Sequence, residues 1–233
     1  MGVGAVGSPQ SFWLEQLERG SRYSNWVFGE AKPYLGASIL EVGCGCGTYT
    51  THFAKLAQRV VALDIDQDFV AAAKLVTSGM ANVEVRCADA TKEHFEQGFD
   101  SAVMLDVLEH IEGEQEMLAK LRDVLKPGGH IVVKVPAFSW LFGAMDRAVG
   151  HHRRYTRSTL AKALTDAGFQ DPKTWYFNAA SIPGWWLNGV VLRRETPPSG
   201  QLSLFDRLLP VIRSVDRLAK PFVGLSIFGV ARR

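Results

Sequence analysis

Short apolar runs alternate with segments of helical spacing along most of the chain. The runs cover residues 38–42, 60–63, 99–104 and 130–135, and a further strand is predicted at 83–87, where polar residues alternate with apolar ones. Each has the length of a strand, and the four apolar runs have glycine, proline or an acidic residue on at least one side. Helical patterns lie between most of them. Strands that alternate with helices predict a parallel sheet covered on both faces, with ligands bound at the carboxyl ends of the strands.

The first two predicted strands enclose a glycine-rich turn. Gly43, Gly45 and Gly47 follow the first strand at alternate positions, and a helical pattern begins at Thr48. The second strand ends in Asp64. Glycine lets the backbone turn sharply and lets a ligand come close. This order predicts a nucleotide-binding unit whose carboxylate meets ribose hydroxyls. The alternative is a glycine-rich turn without a ligand.

The turn differs from the dinucleotide fingerprint, because Thr48 occupies the place of the last glycine, which disfavours a nicotinamide dehydrogenase. Glu41 stands two residues before the first glycine. The E-x-G-x-G-x-G pattern resembles the first motif of class I S-adenosylmethionine-dependent methyltransferases. The strings LDVLEHI at 105–111 and LKPGGHIVVKVP at 125–136 resemble the small-molecule (type 11/12-like) branch of that family. The resemblance covers residues 37–137.

The resemblance implies an α/β fold with a doubly wound, mainly parallel, seven-stranded Rossmann-like sheet that ends in a reversed hairpin. It implies S-adenosyl-L-methionine as cofactor and S-adenosyl-L-homocysteine as product. The cofactor residues that it implies are Glu41, Gly43, Gly45, Asp64, Ile65, Asp89, Ala90 and Leu105. For Asp89, which follows a predicted strand in the string A-D-A, the alternative is a helix cap.

Three parts of the chain are expected. Residues 1–36 form an N-terminal helical lid. Residues 37–178 and 223–233 form the cofactor-binding core, and residues 179–222 form an insertion before the last strand. The sequence string GHHRRY at 150–155 precedes a helix and resembles a G-H-x-R-R-Y motif of one methyltransferase subgroup.

This motif follows the fifth predicted strand, where an acceptor would lie. A neutral histidine can take a proton from a hydroxyl or amine, so His151 is predicted to be the catalytic base. Arg153, Arg154 and Tyr155 are predicted to hold an acidic group on the acceptor. The alternative is that His151 and Arg154 only fix the shape of the loop. The other predicted substrate contacts are Tyr23, Trp26, His110, Phe138, Trp185 and Trp186. Tyr23 and Trp26 could equally pack a helix onto the sheet.

Charge is uneven although the net charge is only +2. Residues 193–233 hold eight Lys and Arg against three Asp and Glu. With Trp185 and Trp186 nearby, the insertion could cover the substrate, contact a membrane surface or form a homodimer interface. No nucleic-acid partner is expected. The absence of a signal-peptide pattern and of a run of about 20 apolar residues predicts a cytoplasmic protein with at most peripheral membrane contact.

The predicted function is S-adenosylmethionine-dependent methyl transfer to a small molecule that is hydrophobic, lipid-like or natural-product-like, with or without an acidic group. Two alternatives remain: a catalytically silent binding or scaffold protein, and a methyltransferase that acts on a macromolecule. The spacing of Cys44, Cys46 and Cys87 suits neither a disulfide nor a zinc site, and no metal is predicted.

Overall fold

The computed structural model describes residues 21–196 and 198–233, so the helix expected at 11–18 lies outside the described residues. The described part contains one seven-stranded sheet in the order β3-β2-β1-β4-β5-β7-β6. The strands are Ser38–Val42 (β1), Arg59–Asp64 (β2), Val83–Cys87 (β3), Phe99–Leu105 (β4), Leu125–Pro136 (β5), Gln170–Phe177 (β6) and Ser226–Arg232 (β7). Strands β1 to β5 are parallel, and β7 pairs antiparallel with both β5 and β6. The predicted fold class is confirmed.

Helices connect most of these strands. They are Ser21–Ala31 (α1), Thr48–Ala54 (α2), Gln67–Val76 (α3), Glu114–Val124 (α4), Ala144–Val149 (α5), Arg157–Asp166 (α6), Ile182–Trp185 (α7) and Ser199–Ala219 (α8). Two of them begin at side-chain caps. The Asp66 carboxylate accepts from two backbone N–H groups of α3, and the Thr156 hydroxyl accepts from the N–H of Thr159 in α6. Such caps satisfy donors that a helix start leaves free.

The two faces of the sheet carry separate cores because successive strand residues point to opposite sides. In β1, Leu40 and Val42 join a cluster that includes residues of α4 and α6. Ile39 joins the other cluster, which includes residues of α1, α2 and α8. Helices therefore cover both faces, as a doubly wound sheet requires.

Strand β5 is longer than the run at 130–135 predicts, because it begins at Leu125. The pairing of β4 with β5 shifts register: Phe99 pairs with Leu125, but Ser101 pairs with His130. Residues 126–129, which include two glycines, have no partners in β4. The C-terminal residue also binds them, because the Arg233 N–H donates to the carbonyl of Gly129. Residues 126–129 therefore form an irregular stretch inside β5, in which Gly128 has a φ of 78°.

The insertion packs back onto the core. It contains α7, a π-helical turn at Trp186–Val191 and α8. Leu209 of α8 is buried in the cluster that holds α1. Glu30 of α1 accepts hydrogen bonds from the indole of Trp175 and the ammonium of Lys220, so α1, β6 and the end of the insertion are joined. None of the described helices combines the length and apolar character that crossing a bilayer requires.

Candidate active site

Backbone strain is concentrated at one edge of the sheet. Five non-glycine residues in the described part have positive φ, and three of them lie one or two residues past the carboxyl end of a strand. They are Asp106 (φ 57°) after β4, Phe138 (φ 60°) after β5 and Asn178 (φ 62°) after β6. These strands run in the same direction, so the three residues lie at one edge. Strained backbone clusters at functional sites, and this edge is therefore the candidate active site.

The glycine turn and the acid after β2 lie in direct contact at this edge. The N–H of Gly45 donates to Asp64 Oδ2 at 2.8 Å, and the N–H of Asp66 donates to Oδ1 at 3.0 Å. A Cβ on Gly43 would come within 2.2 Å of Val107, in the loop after β4. The turn is thus fixed between two loops. Each Asp64 oxygen keeps a lone pair that a ribose hydroxyl could use.

Ile65 and Leu105 supply apolar surface next to these polar groups. The Ile65 side chain is 70% exposed although it directly follows Asp64, whereas Leu105 is half-buried at the end of β4. An exposed branched side chain beside a carboxylate can cover the flat face of a base. This arrangement fits an adenosine-like ligand.

Glu41 has a different environment from Asp64. It is buried, and its Oε2 accepts a hydrogen bond from the Thr50 hydroxyl of α2 at 2.6 Å. Burial raises the pKa of Glu41 to about 8, because the hydrogen bond from Thr50 offsets only part of the desolvation. The carboxyl group therefore ties β1 to α2, and its cofactor contact stays a prediction.

Asp89 is engaged by its own loop. Its Oδ1 accepts from the N–H and the hydroxyl of Thr91, at 3.0 and 2.6 Å. The Lys92 ammonium lies 3.0 Å from Oδ2. The Thr91 and Lys92 hydrogen bonds lower the pKa of Asp89 to about 2. The carbonyl of Ala90 accepts from Lys120 at 2.9 Å. These bonds hold Asp89 in a turn, and the described residues between it and β4 form no helix, so the helix-cap alternative was wrong. Adenine contacts by Asp89 and Ala90 stay predictions.

A buried carboxylate organises the segment after β5. Asp146 of α5 accepts at Oδ1 from His151 Nδ1 (2.9 Å) and Arg154 Nε (2.7 Å). Its Oδ2 accepts from Arg154 Nη2 (3.1 Å) and the Gly143 N–H (2.9 Å). Burial disfavours the charged form, but the hydrogen bond from His151 and the charge of Arg154 outweigh burial and lower the pKa of Asp146. An ionised Asp146 makes Nδ1 the proton-bearing nitrogen of a neutral His151 ring and leaves Nε2 as an acceptor.

Arg153, Arg154 and Tyr155 were expected to hold an acidic group of the acceptor, but their side chains already bind other groups of this chain. Arg154 also donates to the carbonyl of Ala137 at 2.9 Å, and its guanidinium lies 4.9 Å from the ring centre of Trp185. Arg153 pairs with Glu114 at 3.1 Å, and the Tyr155 hydroxyl donates to the same carboxylate at 2.6 Å. The Arg154 contacts match the loop-fixing alternative.

Sequence analysis missed Glu109, the buried neighbour of His110. Glu109 is fully buried on a short 3₁₀ turn, and among the described residues neither of its oxygens has a hydrogen-bond partner. Burial, together with the negative charge of Asp106, raises the pKa of Glu109 well above its usual range. His151 Nε2 lies 3.7 Å from Glu109 Oε1, and the ring centres of His110 and His151 are 4.7 Å apart. The signal in the sequence was the string D-V-L-E-H, in which Glu109 stands directly before His110 and three residues after Asp106.

Sequence analysis also missed the pair of Lys134 and Asp106. The Lys134 side chain is only 3% exposed, and its ammonium lies 2.6 Å from Asp106 Oδ1. Burial opposes the charge on Lys134, but the attraction of Asp106 more than offsets burial and raises the lysine pKa. A lysine inside the apolar strand sequence IVVKVP was the signal for this pair.

The predicted aromatic contacts divide into two groups. Trp26 is buried against Phe177 with ring centres 4.1 Å apart, and Tyr23 touches both rings, which matches the packing alternative. Phe138 stacks on Tyr176 at the strained edge. In the insertion, Trp185 donates to the carbonyl of Leu141, whereas the Trp186 side chain is partly exposed.

Comparison with known proteins agrees with this geometry. Residues 39–129 match the family model described as methyltransferase domain. A ubiquinone biosynthesis O-methyltransferase from Bradyrhizobium sp. is 32% identical over 106 residues, which cover 45% of this chain and 42% of that protein. An uncharacterized 37.1 kDa protein in transposon TN4556 of Streptomyces fradiae is 33% identical over 161 residues, which cover 61% of this chain and 46% of that protein. The chain thus spans less than half the length of these two relatives.

Solved structures show the same fold at lower identity. The crystal structure of an S-adenosylmethionine-dependent methyltransferase from Mesorhizobium loti is 20% identical and matches with a TM-score of 0.59 over 86% of this chain and 92% of that chain. Residues 39–129 thus resemble a methyltransferase domain, and the sheet order and the glycine turn agree with the fold of class I S-adenosylmethionine-dependent methyltransferases. S-adenosylmethionine is the cofactor of this class, and the contact between Gly45 and Asp64 fits its ribose.

The buried pair of Asp146 and Arg154 generates a stability prediction. Arg154→Met leaves the Asp146 carboxylate buried without its cation, so we expect the free energy of unfolding at pH 7 to fall by about 3–5 kcal/mol. Urea denaturation measures the loss. Arg153→Met, which breaks a more exposed pair, should cost about 0–1 kcal/mol.

The same pair has a defined pH dependence. Because the folded-state pKa of Asp146 is lowered, its stabilisation is present above the unfolded-state pKa and is lost as pH falls through the folded value. The difference between wild type and Arg154→Met should therefore shrink in acid. A difference that stays constant down to pH 3 would contradict the role of this pair.

Proposed function

We propose that this protein transfers the methyl group of S-adenosylmethionine to an oxygen of a small, hydrophobic acceptor. The observation that carries the proposal is the arrangement at one sheet edge, where the loop of the Asp146–His151 pair joins the strand ends that also bear the glycine turn and Asp64. The His152 N–H donates to the carbonyl of Glu109 after β4, and Ala137 after β5 bridges Tyr155. Relatives named as ubiquinone biosynthesis O-methyltransferases support an oxygen acceptor.

The cofactor side rests on Asp64 and its neighbours. Asp64 would accept the ribose hydroxyls, Ile65 would cover the adenine, and the turn at Gly43 and Gly45 would admit the methionine part of the cofactor. Asp89, Ala90, Leu105 and Glu41 complete the proposed cofactor surface. The sulfonium already makes the methyl group reactive, so the protein must supply alignment, a dry site and removal of the acceptor's proton.

The acceptor side rests on His151. The buried Asp146 carboxylate holds its Nδ1 and leaves Nε2 as the atom that can act on the acceptor's proton. Phe138, Trp140 and Tyr176 are stacked nearby, and aromatic rings of this kind suit an apolar acceptor. Residues 1–36 and 179–222 are the proposed covers of the site, and Tyr23 supports this because it contacts Phe205 of α8.

The outer face of α8 supports a second proposal, contact with an anionic membrane surface. Val211, Val215 and Leu218 are exposed on α8 at helical spacing, and Phe222, just past the end of the helix, is exposed too. Arg213 and Arg217 are exposed on the same segment. An apolar stripe flanked by basic residues is typical of helices that lie in a membrane interface. Such contact would bring the site close to a lipid-like acceptor.

The first prediction concerns the cofactor. Asp64→Ala removes two ribose acceptors, so we expect the affinity for S-adenosylmethionine to fall by about 1.5–3 kcal/mol, the range for hydrogen bonds to a charged group. Isothermal titration calorimetry measures this loss. Asp68→Ala, an exposed change four residues away, should bind as wild type does. Unchanged affinity in Asp64→Ala would remove Asp64 from the cofactor site.

The second prediction concerns the acceptor. His151→Ala should lower kcat by roughly 10²–10⁴, the usual contribution of acid–base catalysis, and leave cofactor affinity unchanged. His152→Ala is the matched control in the same loop and should keep its turnover. The assay follows S-adenosylhomocysteine formation with phenolic and lipid-like acceptors. Cofactor binding without turnover on any of them would favour a binding protein or a macromolecular acceptor.

The third prediction concerns the membrane. The protein should sediment with vesicles that contain phosphatidylserine, and high salt should release it because the attraction of basic residues is screened. Val211→Ser with Leu218→Ser should weaken sedimentation, whereas Leu75→Ser, an exposed change on α3, should not. Protein that stays in the supernatant at low salt contradicts the proposal and leaves the substrate-cover and dimer alternatives.

A further inference from the structure

In the described part of the chain, the buried carboxylate of Glu109 has no Lys or Arg of its own as a counter-charge, and His151 Nε2 lies 3.7 Å from its Oε1. The nearest cations are already neutralised, because Lys134 is paired with Asp106 and Arg154 with Asp146. Neither Glu109 oxygen has a hydrogen-bond partner among the described residues. A buried carboxylate in such a place costs free energy in its charged form unless a cation reaches it. A structural role alone does not explain why an acid occupies this position.

Two imidazoles face the same small volume. The Glu109 carboxylate, one nitrogen of His110 and one nitrogen of His151 each offer a ligand atom, and these atoms all lie within 4.8 Å of one another. Bonds of about 2.0–2.2 Å to one central ion place ligand atoms roughly 3–4 Å apart, so modest side-chain movement would close the set. His110 is partly buried and the His151 side chain is only 10% exposed, so the cluster lies just beneath the surface.

We propose that Glu109, His110 and His151 bind one divalent transition-metal ion. The inference rests on the proposed function, methyl transfer to an oxygen. It assigns His151 Nε2 to the ion, so that the ion, and not the imidazole, activates the acceptor's hydroxyl group. His151 Nδ1 is already held by the Asp146 carboxylate at 2.9 Å, the carboxylate–histidine arrangement that orients metal-binding imidazoles. Arg154 in turn holds Asp146.

The donor set selects the kind of ion. One carboxylate and two imidazoles suit Zn²⁺, Fe²⁺ or Mn²⁺, with further coordination positions left for a substrate. Mg²⁺ prefers oxygen ligands and retains water, so it fits this set less well. The cysteines are not part of the cluster.

The ion would act on the acceptor as a Lewis acid. It would bind the acceptor's hydroxyl oxygen and make that hydroxyl more acidic, so that the proton passes to water. A lone pair of the oxygen then forms the new O–CH₃ bond while the C–S bond of the cofactor breaks. The electron pair of the C–S bond goes to sulfur, which becomes the neutral thioether of S-adenosylhomocysteine. The ion keeps its oxidation state throughout.

The test uses the full chain, stripped with a chelator and titrated with Zn²⁺ and separately with Co²⁺. We expect one tight ion per chain, and a Co²⁺ absorption spectrum without thiolate charge-transfer bands. Glu109→Gln and His151→Ala should each weaken Zn²⁺ binding by about 100-fold or more, since loss of an outer partner alone costs 10–100-fold. Glu112→Gln and His152→Ala are the matched controls and should bind Zn²⁺ as wild type does.

Folding and cofactor affinity are followed in the same variants. A Glu109→Gln protein that binds S-adenosylmethionine normally but not Zn²⁺ supports the site. Zn²⁺ binding that survives both Glu109→Gln and His151→Ala, or no binding by wild type, overturns it. Methyl transfer that persists in metal-free protein would contradict a role of the ion in the reaction and leave the proposed function intact. Tight binding of one ion by a protein without any methyl transfer would support the metal site and contradict the proposed function.

Discussion

The direction of the strands is the constraint on which the rest of this molecule depends. Strands β1 to β5 are parallel, and β6 runs the same way because β7 lies antiparallel between β5 and β6. Every loop that leaves the carboxyl end of these strands therefore emerges at one edge. The chemistry-bearing residues lie far apart in the chain, from Glu41 to Asn178, and this single geometric fact brings them to that edge.

That edge holds more buried charge than a stable core tolerates without compensation. Two carboxylates are balanced by buried cations, Asp106 by Lys134 and Asp146 by Arg154. Glu109 is not balanced in this way. Pairs of this kind contribute little net stability, but the removal of one partner is costly, so they fix the loops in one arrangement. The positions of the loops thus follow from electrostatics, while the positions of the strands follow from apolar burial.

The sequence predicted the parts that depend on local pattern. Short runs located the first five strands, and the order strand, glycine turn, helix, strand, acid placed Asp64 at the correct strand end. The last two strands followed only from the family resemblance. The sequence left the role of Arg154 open between substrate binding and loop fixing, because a buried arginine and a substrate-binding arginine can stand in the same sequence context. Glu109 and Lys134 escaped for a related reason. Their burial comes from contacts between distant segments, which no window along the chain contains.

The close approach of Gly43 to Val107 has a consequence for the order of events at this edge. The glycine turn and the start of the D-V-L-E-H segment are in van der Waals contact, with no room for even a methyl group between them. Val107 is only two residues from Glu109 and three from His110. A ligand that displaces the turn by a few tenths of an ångström must therefore push on the segment that carries these side chains. A ligand that moved the glycine turn would therefore also move the loop after β4, because the two are in direct contact.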